Sequence, residues 1–212
     1  MDVCLETDRL RLRRFTERDA DLLYDLDNDP EVMRFLNGGL ATPRQVIVRE
    51  ILPRFLAAST GADGFGYWAA IERASGRFVG WFSFRPSAGD DQHEVELGYR
   101  LRPAAWGKGY ATEGAGALIR KGFLEHGVRR VIATTYEENV ASRRVMEKVG
   151  MTLMRTFRPT LSELMVGGSY HVETPVVFDG LDVEYALSKE DWERHQKDEQ
   201  RRRSQFRAKQ RA

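Results

Sequence analysis

The chain is poor in cysteine, and this limits the kinds of site it can build. Cys4 is the single cysteine among 212 residues, so an intrachain disulfide and a zinc site of several cysteines are both excluded. A reducing, cytoplasmic setting is the simplest expectation. The four histidines lie far apart and show no metal-ligand spacing, so no metal site is predicted: His93, His126, His171 and His195.

Long apolar runs are also missing. No stretch of about 18 apolar residues occurs, so the sequence predicts no transmembrane helix and no membrane partner. Residues Met1–Glu6 contain no apolar core of the kind that signal peptides need, so we do not expect a signal peptide. Hydrophobic residues nevertheless make up 42% of the chain, which is enough for a sizeable core.

The near-neutral net charge of +1 hides an asymmetry. Residues 193–212 contain eight Lys/Arg and three Asp/Glu, so the basic excess lies in this C-terminal tail. Such a cluster contacts RNA phosphates in some proteins, but a charged tail of frayed helix or disorder is the commoner case. We favour the second interpretation, and nucleic acid is not an expected partner.

Helical and strand patterns mix along the chain, which indicates an α/β (mixed α+β) protein. At least one strand–helix–strand unit is predicted over residues 94–135. Strands are predicted at 10–14, 65–71, 78–84, 94–101, 130–135, 151–157 and 183–187, and helices from about residues 20, 30, 43, 110, 141 and 188.

The glycine-rich run Trp106–Thr112 joins a predicted strand to a predicted helix. A turn in this position presents free backbone N–H groups and the positive end of the helix dipole to a phosphate. It is not a Walker loop, because Lys108 stands between the two glycines and no Ser or Thr follows it. It is not a dinucleotide fingerprint either, because the third glycine would fall at Thr112. A phosphate site and a simple tight loop both remain open from this run alone.

Three blocks in order resemble the GNAT superfamily of acyl-CoA N-acyltransferases: Leu97–Leu101, Trp106–Glu113 and Asn139–Met151. They most resemble the branch that includes the ribosomal-protein N-terminal acetyltransferases, whose usual start is similar to Glu6–Arg13. The resemblance implies a GNAT domain over 5–192, with an extended connection at 158–182, followed by the tail 193–212. It also implies a central mixed, mostly antiparallel sheet, splayed into a V between its fourth and fifth strands, with helices on both faces.

The resemblance further implies acetyl-CoA as co-substrate, and no metal. The backbone of Leu101 and Arg102 would pair with the pantetheine, and the N–H groups of 107–112 would bind the pyrophosphate. Asn139 and Ser142 would face the cofactor or the thioester, although Asn139 could equally cap a helix. The full predicted cofactor set is Leu101, Arg102, Trp106, Gly107, Lys108, Gly109, Tyr110, Ala111, Thr112, Asn139, Ser142 and Arg144.

Two positions depart from the family pattern. Many members have Gln or Arg where this chain has Trp106, and many have a proton-donating tyrosine where it has Met146. Methionine cannot donate a proton, so the general acid is either Ser142 or solvent.

The predicted catalytic base is Glu96, with Glu94 as second choice. The alternative is that these glutamates belong to a solvated strand face and pair with a neighbouring arginine. A backbone N–H near Tyr99 is the candidate oxyanion donor, and the Tyr99 side chain is expected to pack rather than react.

The leading hypothesis is acetyl transfer from acetyl-CoA to a primary amine, either a protein N-terminus or a small molecule. An antibiotic or polyamine acetyltransferase would need acidic residues at the acceptor site, for which Glu31, Asp63, Asp90 and Asp91 are candidates. A non-catalytic acyl-CoA sensor is the third hypothesis. Residues 158–182 could form an extra hairpin, a lid over the amine site or an arm that contacts a second subunit. A homodimer is therefore one possible assembly.

Overall fold

The structure is a computed structural model that describes residues 3–58, 64–87, 91, 93–158 and 180–209. Its strands form one eight-stranded sheet in the order β1-β2-β3-β4-β5-β6-β8-β7. The strand bounds are β1 Val3–Glu6, β2 Leu10–Arg14, β3 Gly66–Glu72, β4 Phe78–Pro86, β5 Glu94–Leu101, β6 Arg130–Tyr136, β7 Thr152–Phe157 and β8 Asp182–Ser188.

The described helices are largely amphipathic and cover both faces of the sheet. Their bounds are α1 Ala20–Asp27, α2 Pro30–Asn37, α3 Arg44–Val46, α4 Leu52–Ala58, α5 Tyr110–Glu125, α6 Val140–Lys148 and α7 Lys189–Lys209. A π-helical turn, Ile47–Ile51, joins α3 to α4, and short 3₁₀ turns occupy Glu17–Asp19 and Pro103–Ala105. No helix in the described ranges has the length and apolar character needed to cross a membrane.

Strand alternation divides the core into two halves. Phe82 and Phe84 of β4 point to the face covered by α5, whereas Trp81 points to the face covered by α1–α4. A buried ion pair joins the second half together, because Arg100 Nη1 of β5 lies 2.6 Å from Asp27 Oδ1 of α1. Breaking a buried pair leaves an uncompensated charge, so this contact fixes α1 against β5.

The sheet splits beside β5. All neighbouring strands pair antiparallel except β5 and β6, which pair parallel through only three residues, Glu94, Val95 and Glu96. Beyond Glu96 the two strands diverge, and the remainder of β5 up to Leu101 has no strand on that side. The splay that the resemblance places between the fourth and fifth strands therefore lies between β5 and β6, since β1 adds one strand to the count.

The predicted elements are all present, with boundaries shifted by a few residues. Their ends agree with local signals: Asp29 Oδ1 accepts from the N–H groups of Glu31 and Val32 at the start of α2. The tail is helical as far as it is described, because α7 continues without a break from Lys189 to Lys209. The division into a domain and a tail at residue 193 remains a prediction. Most of the connection 158–182 lies outside the described residues.

Candidate active site

A cleft of about 660 Å³ opens where β5 and β6 diverge. Its walls come from β4, β5, the end of β6, α2, the turn before α5, and α6. Ten of the predicted cofactor residues line it: Leu101, Trp106, Gly107, Gly109, Tyr110, Ala111, Thr112, Asn139, Ser142 and Arg144. Arg102 and Lys108 are not among the lining residues, whereas the predicted base Glu96 is.

The backbone of β5 shows why Leu101 and Arg102 differ. In an antiparallel pair, successive residues direct their N–H and C=O groups to opposite sides. Arg102 N donates to Val79 O at 2.9 Å, so Arg102 faces β4, and its carbonyl accepts from Ala105 N at 2.8 Å. Leu101 and Tyr99 therefore direct their backbone groups into the cleft. The N–H of Leu101 thus faces the cleft, whereas its carbonyl oxygen accepts from Trp106 Nε1 and both backbone groups of Arg102 are bonded within the protein. The pairing of Leu101 with pantetheine stays a prediction.

Trp106 ties the end of β5 to the glycine turn. Its indole Nε1 donates to the carbonyl oxygen of Leu101 at 2.8 Å, while 46% of the residue remains exposed. At the position where the family that the chain resembles often has Gln or Arg, this side chain therefore ties the turn to β5 through a backbone contact.

The glycine turn has the geometry of an anion site. Gly107 and Gly109 have φ angles of 70° and 81°, which glycine adopts without strain. The first backbone bond of α5 joins Glu113 N to Gly109 O at 3.0 Å, so the N–H groups of residues 110–112 precede the helical ladder. A Cβ at Gly107 would meet no atom within 4 Å, so the space above the turn is open. These features fit a diphosphate group.

Asn139 caps α6, as its alternative interpretation predicted. Its Oδ1 accepts from Ser142 N at 3.2 Å, and its Nδ2 donates to Thr135 Oγ1 at 3.1 Å. Because Asn139 also lines the cleft, capping places the first turn of α6 against the open side of β5. One amide hydrogen and one lone pair of the amide oxygen remain for a contact with a cofactor.

Tyr99 reaches across the cleft from β5 to α6. Its hydroxyl oxygen lies 3.0 Å from Ser142 Oγ and donates to Ser142 O at 3.1 Å. Burial raises the pKa of Tyr99 to about 12, against the opposing hydrogen bond from Ser142, so the phenol stays protonated near neutral pH. Sequence reasoning gave Tyr99 a packing role and missed this pair. Met146 is buried in the cleft wall, with 2% exposure.

Glu96 lies in the cleft beside Arg85 of the neighbouring strand. Its Oε2 is 2.9 Å from Arg85 Nη2, so the predicted arginine pairing is present. Burial nevertheless raises the pKa of Glu96 above its usual range, and Arg85 only partly offsets that. Glu94 differs, because it does not line the cleft and contacts Arg130 at 3.1 Å and Ser87 at 2.9 Å.

Glu96 and Tyr99 approach the cleft from opposite faces of β5. Side chains an odd number of residues apart point to opposite sides of a strand. Glu96 shares its face with Arg85 and α2, while Tyr99 shares its face with α5 and α6. The strand thus separates a carboxylate from a hydroxyl pair.

The wall on the Glu96 side is aromatic and carries charges of both signs. Phe35 of α2 meets Tyr136 of β6 with ring centroids 5.9 Å apart, and Tyr67 and Trp81 form the wall below. The charged lining residues on this side are Glu31, Glu96, Asp182, Arg34, Arg85 and Arg100, the last of which is paired with Asp27. Of the acidic residues named for a polycation site, Glu31 lines the cleft and Asp91 does not. Asp63 and Asp90 lie outside the described residues.

Within the described ranges, no group of three His, Cys, Asp or Glu side chains is placed to hold a metal ion.

Comparison with known proteins points to one family. Residues 9–152 match the family described as the acetyltransferase (GNAT) domain. The chain is 32% identical over 199 residues to the FsC-acetyl coenzyme A-N(2)-transacetylase of Aspergillus fumigatus, covering 91% of this chain and 79% of the relative.

Solved structures share the fold. An acetyltransferase of the GNAT family from Bacillus anthracis aligns with a TM-score of 0.69 at 26% identity, covering 90% of this chain and 99% of its own. The ribosomal L7/L12 alpha-N-protein acetyltransferase RimL, solved in complex with coenzyme A, aligns with a TM-score of 0.67 at 18% identity. The alignment with RimL covers 88% of this chain and 98% of the RimL chain.

Proposed function

The chain belongs to the GNAT acetyltransferase family, and we propose that it transfers an acetyl group from acetyl-CoA to one primary amine that lies next to a carbonyl group. A protein N-terminus and an amino-acid-derived small molecule both fit this description. The observation that carries the proposal is the splayed strand β5, which has the Glu96 carboxylate on one face and the Tyr99–Ser142 hydroxyl pair on the other.

Acetyl-CoA supplies an activated acyl carbon and a thiol leaving group. On the α2 side, Glu96 takes one proton from the ammonium group of the acceptor, and the neutral amine then attacks the thioester carbonyl carbon. The new C–N bond forms first, and the backbone N–H of Tyr99, which faces the cleft, stabilises the resulting oxyanion. The C–S bond then breaks as the carbonyl re-forms, and the nitrogen loses its second proton to solvent. On the α6 side, Ser142 gives its proton to the departing thiolate and regains one from solvent.

The raised pKa of Glu96 suits this role. An α-amino group has a pKa of about 8, so a carboxylate whose pKa lies above the usual range accepts its proton with a smaller energetic penalty. Arg85 pairs with Glu96 at 2.9 Å and lines the same wall. An amine beside a carbonyl matches this pair, because the ammonium faces Glu96 and the carbonyl oxygen faces Arg85.

The mixed wall argues against a polycationic acceptor. Arg34 and Arg85 stand among the acidic residues on the amine side, and they would repel a second or third ammonium group. The relative from Aspergillus fumigatus, named for transfer to an N(2) position, is compatible with a single amine. An antibiotic or polyamine acetyltransferase is therefore the second candidate, supported by Glu31 in the lining.

We expect purified protein to release CoA from acetyl-CoA when given peptides with a free Ala, Ser or Thr N-terminus, or amino acid amides. Matched peptides with a blocked N-terminus and one lysine should give little release. A lysine amine, with a pKa of about 10.4, is under a thousandth neutral at pH 7. Thiol release, followed by mass spectrometry of the product, measures this.

Other outcomes discriminate between the candidates. Turnover with spermidine or aminoglycosides, and none with N-terminal amines, would replace the proposal with the second candidate. Binding of acetyl-CoA without release across the whole panel would contradict an enzyme and favour an acyl-CoA sensor.

We expect Tyr99→Phe to lower kcat by about 10-fold with little change in the KM for acetyl-CoA. Tyr99 has one hydroxyl proton, which is within reach of both Ser142 O and Ser142 Oγ. When that proton turns to Ser142 Oγ, the serine proton is free to point at the leaving thiolate, and the phenylalanine removes that orientation. General acid–base groups contribute about 100-fold or more, so an orienting group should contribute less. Steady-state kinetics of Tyr99→Phe, Ser142→Ala and the double variant measure this.

The two changes should be non-additive, because both disturb one pair. Tyr24→Phe, on α1 and outside the cleft, is the control and should retain wild-type kcat. Additive losses, or an unchanged kcat in Tyr99→Phe, would count against the pair and leave proton donation to solvent.

A further inference from the structure

A network of contacts joins the start of the chain to the glycine turn. Thr7 Oγ1 donates to Glu113 Oε1 at 2.5 Å, and Arg9 N donates to the same oxygen at 2.9 Å. The Arg9 guanidinium contacts Glu113 Oε2 through both Nε and Nη2, each at 2.6 Å. Two segments about 100 residues apart in sequence are thus joined at one carboxylate.

The same guanidinium holds the turn itself. Arg9 Nη1 donates to the carbonyl oxygen of Lys108 at 2.8 Å, and Arg9 Cζ lies 4.7 Å from the ring centroid of Tyr110. A Cβ at Gly109 would lie 3.4 Å from Arg9 Nη2. Arg9 therefore spans the turn from Lys108, before the helix, to Glu113 in its first turn.

We propose that Arg9, oriented by Thr7 and Glu113, is a positioning residue that presets the 107–109 turn for the diphosphate of the acyl donor. The inference rests on the proposed function, because it assigns the diphosphate of acetyl-CoA to this turn. Arg9 acts on the donor through the turn and through charge, and it does not touch the reacting atoms.

Preorganisation is the first reason. Glycine loses more conformational freedom on ordering than any other residue, and the turn contains two glycines with positive φ. Holding the Lys108 carbonyl from outside fixes the peptide between them before the donor arrives. The ordering cost is then met during folding rather than during binding.

Charge is the second reason. Glu113 lies in the first turn of α5, where a carboxylate interacts well with the helix dipole but repels an incoming anion. Burial acts to raise the pKa of Glu113, but hydrogen bonds from Thr7 and Arg9 lower it overall, so the carboxylate is ionised. Arg9 neutralises that charge beside the anion site.

If Arg9 had a purely structural role, its loss would lower the melting temperature, and we do not expect this. Arg9 is about half exposed, with a side-chain exposure of 47%, and exposed ion pairs contribute little to folding stability. Loss of Arg9 should therefore leave the melting temperature nearly unchanged while it weakens donor binding.

The test compares Arg9→Ala, just before β2, with Arg11→Ala in β2, where Arg11 forms an exposed pair with Glu6. Isothermal titration calorimetry with CoA should give an approximately 10-fold higher Kd for Arg9→Ala and a wild-type Kd for Arg11→Ala, as expected for loss of one group that interacts with phosphate charge. Melting temperatures of both variants should stay within a few degrees of wild type.

An acyl donor that lacks the diphosphate distinguishes an effect of Arg9 on diphosphate binding from a loss of activity with every donor. S-acetylpantetheine lacks the diphosphate, so its kcat/KM should be the same in Arg9→Ala and wild type, while kcat/KM for acetyl-CoA falls about 10-fold. The double variant Arg9→Ala/Glu113→Gln should recover part of the CoA affinity, because it removes the uncompensated carboxylate.

Two results would overturn the inference: a wild-type Kd for CoA in Arg9→Ala, or equal losses with both donors. Its failure is distinguishable from failure of the proposed function. If the wild-type protein binds CoA but acetylates no amine, the proposed function falls, while the calorimetric comparison still decides on Arg9. If the wild-type protein binds no CoA, both fall.

Discussion

Replacing Gly107 by glutamate should weaken acetyl-CoA binding by about 100-fold or more, because two like charges about 4 Å apart repel by about 4 kcal/mol at an effective dielectric of 20. The position lines the cleft, and its missing side chain faces open space. A carboxylate there would stand where the diphosphate is proposed to bind. Calorimetric titration with CoA measures the loss.

The chain offers a closely matched control. Gly127 has a φ of 67°, against 70° at Gly107, and a Cβ there would also meet nothing within 4 Å. Both positions are exposed, but Gly127 lies beyond the far end of α5, whose 16 residues span about 24 Å.

Gly127→Glu therefore imposes the same backbone strain and the same added charge, away from the turn. It should bind CoA as the wild type does. Equal CoA affinity in Gly107→Glu and wild type would remove the phosphate site from this turn, and Gly109→Glu would then be expected to have no effect either.

The elements of the fold were predictable because their signals are local. The Asp29-Pro30 pair marks the start of α2 through a cap formed within three residues. The strand 94–101 agrees with the predicted bounds, since alternation of apolar and polar residues is decided by the strand itself. Ordered motifs along the chain then sufficed to indicate the family.

The sequence could not predict which way the backbone N–H and C=O groups point at the end of β5, beside the splay. The resemblance assigned Leu101 and Arg102 together, but adjacent residues of a strand direct their backbone groups to opposite sides. The bond from Arg102 N to Val79 O decides which side each residue takes, and that bond depends on the register between β4 and β5. Register is set by packing and turn geometry, which a motif does not encode.

The sequence also could not predict contacts between side chains that are far apart along the chain. The partner of Tyr99 lies 43 residues away and that of Arg9 lies 104 residues away. Both were given packing or family-signature roles, because a lone tyrosine or arginine carries no sign of what it will meet. The sequence contains one signal for the Arg9 network. Thr7, Arg9 and Glu113 can all form hydrogen bonds, and they lie in two segments on which the family resemblance rests.

Glu96→Gln should lower kcat/KM for an N-terminal amine by about 100-fold or more at pH 6.5, in line with the contribution of a general base. With a pKa of about 8, the amine is roughly 3% neutral at pH 6.5 and roughly 90% neutral at pH 9. A base is needed mainly when the amine carries its proton. The variant should therefore approach wild-type activity at pH 9, and a pH profile of kcat/KM measures this.

Glu94→Gln is the matched control for that profile. Glu94 lies two residues away on the same face of β5, loses the same charge, and pairs with Arg130 outside the cleft. It should follow the wild-type curve at both pH values. If Glu96→Gln lost the same factor at pH 6.5 and pH 9, Glu96 would bind or orient the amine beside Arg85 rather than accept its proton. If Glu96→Gln lost nothing, the carboxylate would serve only its ion pair, and the amine would lose its proton to solvent.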